Sequence, residues 1–201
     1  MITLLPYPNF AMSAHCFSSP ELSRQRTICM YYLMVLSPEK ETKASYNIVS
    51  QMWRGYEPAL LKYMKCLNTE WLRRGFLDNY YVPQTEKLAK EMGYSDPQLV
   101  LGPYRPPPWL GWDQLHASHR QFLLDQDWEW YHQFCWKETP HITVIWPGPT
   151  PNPGDYLTHD DLVALVLETK SDSVIALIDG HEIEIPLTLI RRKYWQRAAR
   201  R

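Results

Sequence analysis

His116, His119 and Arg120 recur at i, i+3 and i+4, which places all three on one face of a helix. Such a face can bind a phosphate or move a proton; the alternative is a hydrogen-bonded structural role. Two histidines could also ligate zinc, but no third or fourth ligand is spaced for it, so no metal is expected. Arg24, Gln25 and Arg26 bring two guanidinium forks suited to phosphate oxygens; the alternative is a solvated helix face. Arg54, Arg73 and Arg74 each lie within two residues of a glycine. Cations there either meet phosphate oxygens or simply complement a helix C-terminus. Trp109, behind Pro107 and Pro108, reads as a core anchor before it reads as a base-stacking platform. Among Trp128, Trp130, Tyr131 and Trp136 most rings should pack, while one exposed ring could stack on an extruded base. The sequence has no Ser-His-Asp order, no phosphate-binding glycine loop and no paired-carboxylate motif, and no cofactor is expected.

These residues need a helical scaffold. Ser19-Pro20-Glu21 has the form of a helix start, with a capping hydroxyl, proline in the first turn and an early acid. An apolar stripe from Leu22 to Leu36 continues it, and Ser37-Pro38 stops it. Further helices are expected over 45–54, 58–74 with Gly75 as the stop, 84–92, 113–124 and 128–134. Residues 102–108 hold too much proline for a helix or an inner strand. A second proline-rich stretch, 148–154, reads as a stiff linker. Beyond it the period becomes strand-like over 162–169, 173–178 and 182–190, with Asp179-Gly180 as a hairpin turn. The expected fold is mainly α: a helical domain over 1–147, a linker, and a small antiparallel β addition with a basic tail over 155–201. Three strands alone are marginally stable, so the addition should pack on the helical domain or on a partner.

The chain has 201 residues, 45% of them apolar, which supports a real core. No apolar run reaches 18 residues, so no membrane helix is expected. The start lacks a charged region followed by a long apolar one, so a secretory leader is not expected either. The four cysteines form no CxxC pair and read as free thiols in a reducing cytoplasm. Lysine and arginine total 21 against 22 acids, which excludes a polybasic coat. The balance hides a split: residues 1–75 hold nine basic groups against five acids, and the last fourteen hold six and none. Both regions could meet a polyanion.

Several segments resemble a known family. Leu5-Pro6-Tyr7-Pro8-Asn9-Phe10 is similar to the LPYPDF opening of a bacterial branch of the pyrimidine-dimer DNA glycosylases, relatives of phage endonuclease V. Residues 21–28 align with its RLGKQRVE helix, Met52-Trp53-Arg54-Gly55-Tyr56-Glu57 with MWRGYE, and residues 70–76 with EWTRRGY. Pro107-Pro108-Trp109-Leu110-Gly111 matches PPWLG, residues 116–120 resemble HRSHR, and Ile145-Trp146-Pro147 is similar to VWP. The matches keep the family's order over 1–147; residues 155–201 have no counterpart.

The resemblance implies an endonuclease V-like helical fold and damaged double-stranded DNA, pyrimidine-dimer or abasic, as substrate. It implies a DNA repair glycosylase with AP lyase activity. The nucleophile would be the α-amine of Met1, with Arg26 and His119 beside it. Arg24, Gln25, Arg54, Arg73, Arg74, His116, Arg120 and Trp109 would serve DNA binding. The glutamate that ends RLGKQRVE falls on Ile28, and Glu21, Glu57 and Glu70 are the substitute carboxylates. The alternative is a non-catalytic DNA-binding relative that recruits a protein partner through residues 155–201.

Overall fold

The computed structural model describes residues 3–37, 52–94, 106–142, 144–145, 151, 153–159, 161–170, 172–191 and 196–197. Met1, most of the expected 45–54 helix, residues 102–105 and most of the proline-rich linker lie outside them.

The helical part comprises α1 (Phe10–Cys16), α2 (Ser19–Leu36), α3 (Glu57–Arg73), α4 (Tyr81–Glu91), α5 (Asp113–Gln126) and α6 (Trp128–Tyr131). A 3₁₀ turn, His132–Phe134, follows α6. The sequence reading omits α1, which is started by Asn9: its side chain accepts from the Met12 N–H at 3.0 Å. α2 is the central element. Gln25, Arg26, Ile28, Cys29, Met30 and Tyr32 are all buried, so burial extends round most of its girth. The Ser19 hydroxyl is not its cap; it accepts from Arg74 Nη1 instead. α3 crosses α2 with Leu60, Leu61, Tyr63, Met64 and Leu67 buried.

α4 starts three residues earlier than the pattern suggests. Asp78 Oδ1 collects the N–H groups of Tyr80, Tyr81 and Val82 at 2.8–3.3 Å and nucleates the first turn. Pro83 in that first turn needs no N–H partner. α5 begins at Asp113, an acid in its first turn, and Asp127 caps α6 through the Trp130 N–H. The cysteines are free, with Cys16 and Cys29 buried.

The C-terminal part is an antiparallel sheet: β1 (Tyr156–His159), β2 (Leu162–Thr169), β3 (Ser173–Ile178), β4 (His181–Pro186) and β5 (Gln196–Arg197), in the order β4-β3-β2-β1-β5. Asp179 and Gly180 both have positive φ, 49° and 81°, as the tight β3–β4 turn requires. One expectation changes here. The 182–190 strand ends at Pro186, and a short helix, α7 (Leu187–Arg191), takes over. Among the described residues, Leu187 and Ile190 of α7 pack with Leu157, Ala164, Val166, Val174, Ala176 and Ile185 in the sheet's core.

Gly75 ends α3 with φ +82°, a conformation a β-carbon resists, and its N–H donates to the Leu72 carbonyl at 2.9 Å. Gly75→Ala is expected to cost about 1 kcal/mol. A denaturant midpoint equal to that of the parent protein would contradict this.

Candidate functional site: a clamped amino-terminal segment

Residues 3–6 have no regular secondary structure, yet Thr3, Leu4 and Leu5 are completely buried. Their backbone groups must therefore find partners among side chains. The Leu4 N–H donates to Gln25 Oε1 at 2.9 Å, and the Leu4 carbonyl accepts from the Tyr63 hydroxyl at 2.5 Å. The Leu5 N–H donates to His119 Nδ1 at 2.8 Å, and the Leu5 carbonyl accepts from His116 Nδ1 at 2.7 Å. The Pro6 carbonyl accepts from Arg120 Nη1 at 2.7 Å. The Thr3 hydroxyl accepts from Trp53 Nε1 at 3.1 Å.

The two histidines hold Leu5 from opposite sides, and these bonds fix their tautomers. His119 accepts at Nδ1, so that nitrogen carries no proton. His116 accepts from the Gly111 N–H at Nε2, so its proton sits on Nδ1, where it donates to Leu5. Both rings are thus neutral. Burial pushes His119 down to about 3, the neighbouring His116 adding in the same sense, and burial also lowers His116. Trp109 is fully buried, stands edge-on to Trp53 at 4.9 Å between centroids, and donates to the Met52 carbonyl. It is the core anchor of the two readings. Arg120 is also paired with Glu138 and lies near the Tyr7 ring. The one-face arrangement of His116, His119 and Arg120 is real, and that face meets residues 5 and 6.

Arg26 lies elsewhere. Its guanidinium is sandwiched between Trp71 and Tyr81, 4.5 and 4.6 Å from the ring centroids. It is ion-paired with Asp78, and its Nε donates to Asn68 Oδ1 at 2.9 Å. Burial lowers the guanidinium to about 10, which leaves it charged at neutral pH. Arg26 therefore joins α2 to the α3–α4 corner and is 2% exposed. Arg73 and Arg74 grip Glu70 with hydrogen bonds of 2.7–2.8 Å. Burial would raise the Glu70 carboxyl, but those bonds outweigh it and hold it down at about 2. Arg74 also donates to the His15 carbonyl, tying α1 to α3.

Of the three substitute carboxylates, Glu70 is thus committed to its arginines, and Glu57 accepts from the Gly55 N–H. Glu21 accepts from Gln25 Nε2 at 2.7 Å, and so connects through Gln25 to the Leu4 amide. Glu21 and Arg24, themselves paired, line a surface groove of about 260 Å³ with Ser18, Pro20, Asp127 and Tyr131. Arg54 is exposed. Ile28, where the resemblance would put a glutamate, is 4% exposed in the main core. Among the described residues no cluster of His, Cys, Asp or Glu could hold a metal ion, and no helix is long and apolar enough to cross a membrane.

Thr3, Tyr63, Asn68 and Asp78 escape the sequence reading. Asp78 carried a signal, an acid ahead of a helix, but only for a helix starting at Tyr81. Comparison with protein-family models, curated proteins and solved structures returns no match.

The neutral histidines make stability depend on pH. The folded pKa of His119 lies below its ordinary value near 6.5, so the unfolded chain binds the extra proton first. Stability is complete above pH 6.5 and falls as pH drops toward 3. Between 6.5 and 4.5 the lowered carboxyls of Glu70 and Glu138 do not yet contribute. The loss over that window is expected to be about 2–3 kcal/mol from His119 alone. Chemical denaturation at pH 7.5, 6.0 and 4.5 measures it, and His119→Gln should flatten the slope. An unfolding free energy constant over this range would rule out the neutral pair.

Proposed function

We propose that the protein is a repair-type DNA glycosylase and AP lyase acting on damaged double-stranded DNA, with the α-amine of Met1 as its nucleophile. The supporting observation is the convergence on residues 3–6. Gln25, Trp53, Trp109, His116, His119 and Arg120 come from four separate resembling motifs, and all of them bind residues 3–6 or buttress a residue that does. A site that works through the chain's amino end needs the segment just behind that end held rigidly. On this reading these residues are positioning groups, and an endonuclease V-like helical body serves to present the amine.

The chemistry is consistent with an α-amine, whose pKa near 8 leaves a nucleophilic fraction at neutral pH. Attack on C1′ forms a C–N bond while the base leaves with the glycosidic pair and takes up a proton; the sugar ring then opens at C1′–O4′, the oxygen taking the amine's proton, to give the imine. At an abasic site the amine condenses with the sugar aldehyde and releases water. In either case the imine acidifies the C2′ proton; its removal expels the 3′-phosphate and cuts the strand. Hydrolysis then frees the amine. Glu21 is the carboxylate connected to the segment, through Gln25. Phosphate contacts fall to the exposed Arg24, Arg54 and Arg73 rather than to the buried Arg26.

One observation favours the second reading, a non-catalytic DNA-binding relative. Ile28 is core, so no carboxylate stands at that position of α2. Loss of a general acid or base costs on the order of 10²–10⁴ in rate. Abasic sugars need no base expelled, so nicking of abasic DNA should exceed excision at pyrimidine dimers.

Borohydride trapping separates the readings. A protein with a free amino terminus should become covalently joined to abasic duplex, and one acetylated there should not. Equal trapping of both would remove the α-amine from the mechanism. Salt-dependent DNA binding with no trapping would leave the non-catalytic relative.

A further inference from the structure

The β-sheet has an open edge. In the order β4-β3-β2-β1-β5, β4 pairs with β3 along its whole length, from Ser173 with Pro186 to Ile178 with His181. Among the described residues no strand lies on the other side of β4. Part of its backbone N–H and C=O groups therefore points away from the sheet, toward whatever can add a strand. Residues 181–184 are all exposed.

The two faces of β4 differ. Ile183 and Ile185 stand opposite Ala176 and Val174, on the face that holds the sheet's core. Ile185 is 2% exposed and Ile183 37%, so the apolar surface of the core side continues out to the open edge. Glu182 and Glu184 stand opposite Leu177 and Ile175 on the other face, and Glu168 shares the row of Ile175 and Glu184. Lys170 Nζ reaches Glu184 at 3.2 Å, and the Ser173 hydroxyl donates to the same carboxylate oxygen at 2.5 Å. Three carboxylates against one ammonium leave this side of the edge net negative.

That alternation selects the occupant. A second copy fits badly: antiparallel pairing of two β4 strands with Ile183 opposite Ile183 sets Glu182 directly against Glu184, and like charges opposed across a ladder are destabilising. Charged side chains on an edge strand guard against such self-pairing. The same carboxylates repel a nucleic-acid phosphate. A strand with cations at alternate positions meets both demands of the edge. Its Lys or Arg residues lie opposite Glu182 and Glu184, and the apolar residues between them cover Ile183, while backbone bonds complete the ladder.

We propose that β4 is the docking edge for a protein partner, which adds to it, antiparallel, a strand of alternating basic and apolar residues. The inference uses the sheet alone and holds whether or not the amino end acts on DNA. For the reading in which residues 155–201 recruit a partner, it names the edge and the partner's sequence pattern.

The test uses the full chain and three labelled six-residue peptides, the length of β4, each blocked at both ends. One alternates Lys and Val, one alternates Glu and Val, and one carries its three Lys and three Val in separate blocks. Fluorescence anisotropy reads binding, and amide hydrogen exchange reads its place. The alternating basic peptide should bind roughly tenfold or more tighter than either of the others, and should slow exchange at β4. Glu182→Lys combined with Glu184→Lys should reverse the preference, so that the acidic peptide binds more tightly. Glu182→Lys alone, which leaves the Ser173 and Lys170 bonds of Glu184 in place, should weaken the basic peptide roughly threefold or more. Equal binding of the alternating and blocked basic peptides would reduce the effect to charge attraction and overturn the proposal. Protection appearing away from β4, or no binding of the alternating basic peptide at millimolar concentration, would overturn it as well.

Discussion

The structure depends on hiding a stretch of irregular backbone. Residues 3–6 run through the core without a ladder partner, and an unpaired buried amide or carbonyl costs about 1–3 kcal/mol. The fold meets this with side chains from four directions: Gln25 from α2, Tyr63 from α3, His116, His119 and Arg120 from α5, and Trp53 from the turn before α3. Each of these groups is itself placed by the packing of its helix, so the helical body and the amino-terminal segment define one another. The neutral state of both histidines follows, since a second ring proton would put a donor against the Leu5 N–H or the Gly111 N–H.

A second polar system, at the α3–α4 corner, works independently. Asp78 serves two masters with its two oxygens, gathering helix amides on one and the Arg26 guanidinium on the other. Asn68 extends it, accepting from Arg26 and donating to Thr85. Arg26 is thereby a brace between α2 and the exposed corner rather than part of the group around Leu5. The two systems share α2, on which Gln25 and Arg26 are neighbours facing different partners.

Much of this was legible in the sequence. Helix periodicity located α2, α3 and α5, glycine marked the end of α3, and Asp179-Gly180 marked the β3–β4 hairpin. The one-face spacing of His116, His119 and Arg120 was legible too; what that face touches was not. Whether an arginine meets solvent, phosphate or a buried carboxylate depends on contacts distant along the chain, and Arg26 meets Asp78 across 52 residues. The α1 helix rests on a single Asn9 cap inside a proline-rich stretch, too weak a local signal to outweigh its flanks. β1 and β5, four and two residues long, carry no usable period, and α7 replaces a strand because its two buried apolar residues, Leu187 and Ile190, lie three apart over the sheet.

The central claim is that side chains of α2, α3 and α5 fix residues 3–6, and amide hydrogen exchange at Leu4 and Leu5 tests it most directly. Both amides are buried and bonded to side chains that are themselves held by core helices. They should exchange only on global unfolding, at rates matching the slowest amides of α2 and α3, and the Leu5 amide should lose that protection in His119→Ala. Exchange of Leu4 and Leu5 at the rate of an unstructured terminus, in a protein whose α2 amides remain protected, would contradict the account.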